Sequence, residues 1–297
     1  MRHELVRSRG SIMRQHPLDS NKGILHAEAG RKKFRLTRFE PSSDLAPFVE
    51  RYWLVQWDLR GQAPYRQVIL SYPNVNLAFE NEGGTCYSGV YGVPSVTYAR
   101  LLRGEGIVFG VKFKPGGFYP FWKQPISILT DRSVCCSEIF GSDMRPLETR
   151  LFAQERIETM LMVVEEFLRQ RQPERDENVE FVSRITEMAD RDKSIYKVED
   201  LAARFDLSVR KLQRLFDRYV GVSPKWVIRR YRLQEAAELI ESGKVTDWAQ
   251  LSAELGYYDQ AHFIKDFKSL IGKTPGDYTL DLPLRNTEKF GSLSARQ

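Results

Sequence analysis

The first half of the chain has a hydrophobic pattern typical of β-structure. Between Phe34 and Arg132, short runs rich in aromatic and β-branched residues are separated by proline and glycine, as in strands joined by tight turns. We therefore predict an antiparallel barrel or sandwich. The runs are RYWLVQW at 51–57, QVILSY at 67–72, VNLAFE at 75–80, TCYSGVYG at 85–92 and GIVFGVKF at 106–113.

A helical pattern replaces the strands further along the chain. Apolar residues spaced three to six apart predict one helix from Leu147 to Arg171, which either forms an antiparallel dimer seam or packs against its own barrel. The polar, proline-containing segment 172–177 is the predicted linker. The predicted fold class is thus α+β with two domains, a β-barrel with a following helix at 34–171 and an all-α domain at 178–280. Residues 1–33 are interpreted as a flexible basic arm, either merely solvated or gripping DNA backbone, and 281–297 as a tail.

Residues 198–219, VEDLAARFDLSVRKLQRLFDRY, predict two helices joined by a sharp turn. Leu201, Ala202 and Phe205 give the first helix an apolar face, and Asp206-Leu207 ends it. Ser208 is a suitable N-cap for the second helix, which has a buried stripe of Leu212, Leu215, Phe216 and Tyr219. The opposite face of the second helix carries long hydrogen-bond donors, as a helix in the major groove of DNA requires.

The same arrangement recurs at residues 246–271, TDWAQLSAELGYYDQAHFIKDFKSLI. Gly256 supplies the turn, since glycine adopts a positive φ at no steric cost, and Asp259 caps the second helix. Between the two units, Ser223-Pro224 predicts the start of a long helix that runs to about Ser242. A rod of about 30 Å would place two reading helices about one turn of B-DNA apart.

Net charge does not locate a nucleic-acid site in this chain. The formal charge is +6, but residues 1–38 hold ten Lys or Arg against three Asp or Glu, whereas residues 178–280 hold seventeen against sixteen. DNA binding is therefore inferred from pattern and placement. No apolar run approaches the roughly 18 residues of a membrane span, and the start has no signal-peptide core, so we expect a cytoplasmic protein with no membrane partner. Three cysteines, two of them adjacent, fit a reducing compartment.

The segments LAARFDLSVRKLQRLFDRYVGVSPKWVIRRYRLQEA and LSAELGYYDQAHFIKDFKSLIGKTPGDY resemble the C-terminal DNA-binding domain of the AraC/XylS family of transcription regulators. The resemblance covers about a hundred residues. It departs from the family at Asp206, where many members have glycine, although aspartate tolerates the left-handed conformation better than most residues.

The resemblance implies a role for each reading helix. Base contacts would come from Arg210, Gln213 and Arg214 in the first unit and from Gln260, His262 and Lys265 in the second. Phosphate contacts are predicted for Ser208, Lys211, Arg218 and Lys268. The alternative for any of these side chains is a solvated helix face. The run Arg229-Arg230-Tyr231-Arg232 is expected to pack by its stems or to touch phosphate.

The family also implies a cupin-like N-terminal domain that binds a small-molecule effector or dimerises. All four histidines lie outside 34–132, so neither a metal site nor a cofactor is predicted, and the aromatic residues either line a ligand pocket or fill the core. The leading hypothesis is a regulator, an activator as many relatives are, whose partners are double-stranded DNA and RNA polymerase, with a possible effector and homodimer. Two alternatives stay open. One is an enzyme-like barrel with Cys135-Cys136 as its candidate thiols, fused to a DNA-binding module, and the other is a ligand-free regulator whose barrel only dimerises.

Overall fold

An antiparallel sheet organises the N-terminal half of the computed structural model, which describes residues 30–69, 72–141, 143–171, 173–245 and 247–280. Most of the predicted arm and the whole predicted tail at 281–297 lie outside the described residues. Six strands pair in the order β1-β2-β7-β4-β5-β8, and β3 pairs with β6 in a separate ribbon. The strands are β1 (Arg35–Phe39), β2 (Val49–Asp58), β3 (Tyr65–Ile69), β4 (Asn76–Glu82), β5 (Thr85–Tyr91), β6 (Tyr98–Leu102), β7 (Glu105–Phe113) and β8 (Ser133–Cys135).

The N-terminal antiparallel domain was predicted correctly, but the prediction of a closed barrel was wrong. β1 pairs only with β2, and β8 pairs with β5 through three residues before a helix begins at Cys136. Among the described residues, β3 and β6 pair with each other and with no strand of the six-stranded sheet, so they do not join its two edges. All five predicted runs form strands, whereas β1, β6 and β8 are short segments whose patterns are too weak to predict.

The two faces of the sheet pack differently. On one face, Tyr52, Phe79 and Phe109 are fully buried against the helices that follow the sheet, and the ring of Phe79 meets that of Phe167 at 6.1 Å. On the other face, a smaller cluster that includes Trp57 packs against the β3-β6 ribbon. The aromatic residues of the first face therefore fill the core, which was one of the two predicted alternatives.

Within the described part of the N-terminal half, four helices and one 3-10 turn at Ile126–Leu129 accompany the strands. The single helix predicted from Leu147 to Arg171 is two helices. The first ends at Phe152, where the Gln154 side chain donates to the carbonyl of Arg150, and the second begins at Ile157. The apolar face of the second packs into the sheet core, so the alternative of packing on its own domain describes the structure. The helices are α1 (Tyr119–Trp122), α2 (Cys136–Phe140), α3 (Arg145–Phe152) and α4 (Ile157–Arg169).

The C-terminal half is helical, as predicted. The long helix α8 begins at the predicted residue, because the Ser223 hydroxyl accepts from the backbone N–H of Trp226 at 3.1 Å and Pro224 follows. Its 18 residues form a rod of about 27 Å. The helices are α5 (Glu177–Arg191), α6 (Val198–Ala203), α7 (Val209–Tyr219), α8 (Pro224–Glu241), α9 (Trp248–Glu254), α10 (Gln260–Ile271) and α11 (Pro275–Leu280).

The two helix-turn-helix units have different cores. Leu212, Phe216 and Tyr219 of the first unit belong to the hydrophobic cluster that also holds the core of the N-terminal sheet. Phe263 and Phe267 of the second unit belong to a separate cluster built from the C-terminal half of α8 and from α9 to α11. The first unit is therefore packed as part of the N-terminal core, and the second is not.

Candidate nucleic-acid interface

The first unit is formed by α6 and α7, with a tight turn between them. Asp206 occupies this turn at a φ of 50°, the left-handed conformation expected of it. The Ser208 hydroxyl accepts from the backbone N–H of Lys211 at 3.2 Å and thereby caps α7. Leu212, Phe216 and Tyr219 are buried beneath the helix. The predicted elements of this unit are thus confirmed.

The outer face of α7 presents side chains that have no partner. Arg210, Gln213 and Arg214 are exposed, one turn apart or less, and none of them forms a side-chain hydrogen bond or ion pair within the part of the chain that the structure describes. Lys211 is exposed in the same way. Arginine carries five N–H donors and glutamine two, so this face keeps its hydrogen-bonding capacity available to an incoming ligand.

The second unit repeats the arrangement. The Asp259 carboxylate accepts from the backbone N–H of His262 at 2.7 Å and caps α10, and Gly256 turns the chain at a φ of 76°. Gln260, Lys265 and Lys268 are exposed, with no side-chain partner among the described residues. The remaining predicted base-contacting residue behaves differently.

That residue, His262, is exposed but held in place. Its Nε2 atom lies 3.8 Å from a carboxylate oxygen of Asp266, and its ring meets the edge of Tyr257 at a centroid distance of 5.2 Å. These two contacts restrict the His262 side chain before any DNA is bound.

The arginines of α8 are engaged within the protein. Arg230 and Arg232 are 0% and 3% exposed, and the Arg232 guanidinium donates to the carbonyl of Asp192 at 2.7 Å. Arg229 forms an ion pair with Asp266 at 2.7 Å. We expected this run to pack by its stems or to touch phosphate, but Arg230 and Arg232 are buried with their guanidinium groups as well as their stems. These arginines therefore differ from the exposed, unpartnered ones on α7.

Sequence reasoning missed a contact between the N-terminal domain and the first reading helix. The phenol oxygen of Tyr119 accepts a hydrogen bond from Nε of Arg218 at 2.6 Å, and the guanidinium carbon lies 4.9 Å from the centre of the Tyr119 ring. The rings of Tyr119 and Tyr219 are 4.4 Å apart, and the Thr130 hydroxyl donates to the carbonyl of Gly221. Arg218, predicted to bind phosphate, is thus held by Tyr119. These residues lie about a hundred positions apart in sequence, so no local signal predicts them.

One of the two thiols proposed for an enzyme-like barrel has an unsuitable environment. Cys136 is buried, and burial raises the pKa of its thiol to about 12. Since the thiolate is the nucleophile, such a thiol is unreactive near neutral pH. Within the described ranges, no group of three or more His, Cys, Asp or Glu side chains is placed to hold a metal ion, and no helix is long and apolar enough to cross a bilayer.

Comparison with known proteins places two domains on this chain. Residues 37–135 match a family described as a domain of unknown function (DUF6597), and residues 201–280 match a family described as a helix-turn-helix domain. An uncharacterized HTH-type transcriptional regulator of Haemophilus influenzae is 32% identical over 89 residues, covering 30% of each protein. The Msm operon regulatory protein of Streptococcus mutans is 29% identical over 89 residues, covering 30% of this chain and 32% of that protein. The matched region spans about a third of these relatives.

Solved structures give similar matches. The C-terminal domain of AraT, a response regulator from Geobacillus stearothermophilus, is 21% identical with a TM-score of 0.32, covering 37% of this chain and 92% of that one. ToxT from Vibrio cholerae is 14% identical with a TM-score of 0.36, covering 85% and 100%.

The C-terminal part of this chain is therefore a DNA-binding domain of the helix-turn-helix class. Within that class it is of the AraC type, and the resemblance predicted from the sequence is confirmed for this domain. The cupin-like character of the N-terminal domain stays a prediction.

Proposed function

We propose that this protein is a transcription regulator that reads a specific DNA sequence with α7 and α10. The observation that carries the proposal is the pairing, on one helix, of a fully packed inner face with an outer face of three unpartnered donors, Arg210, Gln213 and Arg214. A helix held rigidly on one side with free donors on the other is what major-groove reading requires.

The residue types suggest what each helix reads. Arginine suits the two acceptors of guanine, and glutamine suits the acceptor and donor of adenine. Gln260, His262 and Lys265 would read bases in the second half-site. Lys211 and Lys268 would contact phosphates, and Ser208 would do so at the helix N-terminus. Arg218 would contact a phosphate with the guanidinium N–H groups that Tyr119 does not accept from.

Regulation is proposed to come from the N-terminal domain. It contacts the first unit through Tyr119 and Thr130. It contacts α8 through Ser95, whose carbonyl accepts from the Trp226 indole at 2.8 Å, and the second unit through Thr97, whose backbone N–H donates to the carbonyl of Leu270. An effector or a second copy that favours one arrangement of these contacts would shift the population able to engage both half-sites. We further propose that the protein activates transcription through RNA polymerase, and that it does so in the cytoplasm, where the chromosome lies.

The test is binding of the full chain to its own upstream DNA, located first by footprinting. Gln213→Ala and Arg214→Ala should each weaken binding to the cognate site by about 1–3 kcal/mol and change binding to random DNA little. Gln170→Ala, on the exposed end of α4, is the matched control and should bind as wild type. Equal losses on cognate and random DNA would refute base reading.

A further inference from the structure

A basic cleft lies between the N-terminal domain and the first reading helix. Its volume is about 460 Å³. The side chains that line it include four cations, Lys123, Arg210, Arg214 and Arg218, against one anion, Asp217. Lys123 comes from the N-terminal domain and faces α7 across the cleft. The cleft therefore attracts a negatively charged group and joins residues of both domains around it.

We propose that this cleft receives the DNA backbone beside the first half-site, so that Lys123 of the N-terminal domain contacts a phosphate. This inference rests on the proposed function. The sugar-phosphate strands border the major groove, and any helix lying in the groove has phosphates along its flanks. Lys123 lies across the cleft from Arg210 and Arg214, on the path that such a flanking strand would follow.

The exposure of the lining favours DNA over a small anion. All four cations of the cleft are solvent-exposed, whereas a small-molecule site buries most of its ligand's surface. Lys123, Arg210 and Arg214 also lack a side-chain partner among the described residues, so their charges are not neutralised in advance. An open cleft whose charges are not neutralised suits a large polyanion such as DNA, which need not be enclosed to bind. Release of the counterions condensed on the DNA adds to the free energy of binding.

The backbone at Lys123 gives a second, independent observation. Lys123 follows the last residue of α1 with a φ of 60° and a ψ of 22°, and its N–H donates to the carbonyl of Tyr119 at 2.6 Å. For a residue other than glycine, asparagine or aspartate this left-handed conformation is strained, because Cβ comes too close to the following carbonyl oxygen. The other two non-glycine positions with positive φ among the described residues are aspartates, at 131 and 206. A lysine here sacrifices stability that asparagine would keep, which points to its charge as the reason for it.

The cleft has a fixed geometry. Tyr119, four residues before Lys123, is hydrogen-bonded to Arg218, and its ring lies at a tilt against that of Tyr219. Ile126, three residues after Lys123, packs closely against Gly221. Lys123 is thus clamped on both sides to the end of the first reading unit. It would reach the DNA as part of the same rigid surface as Arg210 and Arg214.

The experiment measures binding of the full chain to the footprinted site and to random DNA over a salt series. Lys123→Asn removes the charge and keeps a residue that tolerates the left-handed backbone. Two controls accompany it. Lys123→Arg keeps the charge, and Arg103→Gln removes one exposed charge elsewhere on the N-terminal domain. We expect Lys123→Asn to weaken both kinds of DNA about two- to fivefold and to reduce the salt slope by about 0.9. Lys123→Arg and Arg103→Gln should bind as wild type.

The outcomes separate this inference from the proposed function. If wild-type protein shows no preference for the footprinted site, the proposed function fails. If wild type shows that preference while Lys123→Asn matches Arg103→Gln in affinity and salt slope, the inference is overturned. Tighter binding by Lys123→Asn would also overturn it, because the N-terminal segment would then obstruct DNA. Thermal unfolding should show Lys123→Asn at least as stable as wild type, and Lys123→Gly serves as a second charge-removing variant.

Discussion

Arg218, on the first reading helix, donates a hydrogen bond from Nε to the phenol oxygen of Tyr119 in the N-terminal domain at 2.6 Å. This bond and the neighbouring ring contact with Tyr219 join the two domains at the end of the helix proposed to read DNA. A change in the position of α1 would therefore alter contacts at the end of α7 directly.

Replacing Tyr119 by phenylalanine tests the strength of this bond. The ring contacts remain, but Arg218 loses its acceptor, so the free energy of unfolding should fall by about 1 kcal/mol, with solvent at the exposed guanidinium moderating the loss. Urea denaturation measures the difference. Tyr258→Phe is the control, because Tyr258 is 95% exposed and removing its hydroxyl should leave stability unchanged. An equal effect of both substitutions would contradict the role assigned to Tyr119.

The separate cores predict unequal responses to truncation of a buried ring. Phe267→Ala should destabilise the second unit by about 3–5 kcal/mol and raise amide hydrogen exchange across 247–280 while α7 and the sheet stay protected. Phe216→Ala, equally buried, should raise exchange in the first unit and in the adjoining N-terminal segments, since they share a core. Exchange spreading evenly over both halves in either variant would show that the cores are not independent.

Acid stability should depend on Glu50. Burial acts to raise the pKa of the Glu50 carboxyl, but Lys112 and Arg51 outweigh it and hold the pKa below its usual 4.5. A lowered pKa means that the carboxylate stabilises the fold above pH 4.5 and that this contribution is lost as the pH falls further. At neutral pH, Glu50→Gln should cost about 1–2 kcal/mol, less than a fully buried pair because the side chain is 27% exposed.

The measurement for Glu50 is the urea midpoint as a function of pH. The difference between wild type and Glu50→Gln should be constant from pH 7 to about pH 5 and should shrink below pH 4.5. Glu158→Gln, at an exposed pair with Arg156, is the control. A difference that does not change with pH would assign the loss to packing and not to charge.

Substitutions of Asp206, in the turn of the first unit, test whether the backbone there is strained. Asp206 has a φ of 50°, so Asp206→Ala should cost about 1 kcal/mol, whereas Asp206→Gly should be close to neutral because relief of strain offsets the greater freedom of the unfolded chain. Thermal unfolding of the two variants compares them directly. If alanine were tolerated as well as glycine, the left-handed turn would not be a constraint on this position.

The helix-turn-helix units were predictable because their signals are local. Ser208, Asp259 and Ser223 each cap the helix predicted from them, and Gly256 and Asp206 take the backbone conformations expected of turns. Apolar spacing within one or two turns predicts which face is buried, and so the unpartnered donors of α7 were predicted as well.

The remaining features depend on contacts between distant residues. Whether β1 and β8 meet to close a barrel depends on sheet curvature and on the early start of α2 at Cys136, neither of which appears in a strand pattern. The pairing of Tyr119 with Arg218 brings together residues 99 positions apart. Lys123 was not singled out, because a lone lysine after a proline-containing aromatic segment is uninformative until its backbone conformation is known.

The shared core of the sheet and the first unit decides where this protein can be divided. A hybrid joined in the polar segment 172–177 would separate Val182, Phe216 and Tyr219 from their neighbours in the N-terminal half and leave an apolar surface on each fragment. A hybrid joined within α8, between the clusters at Tyr231 and Leu233, would cut fewer such contacts. The unit that packs together is therefore the N-terminal domain with the first helix-turn-helix unit, and not the N-terminal domain alone.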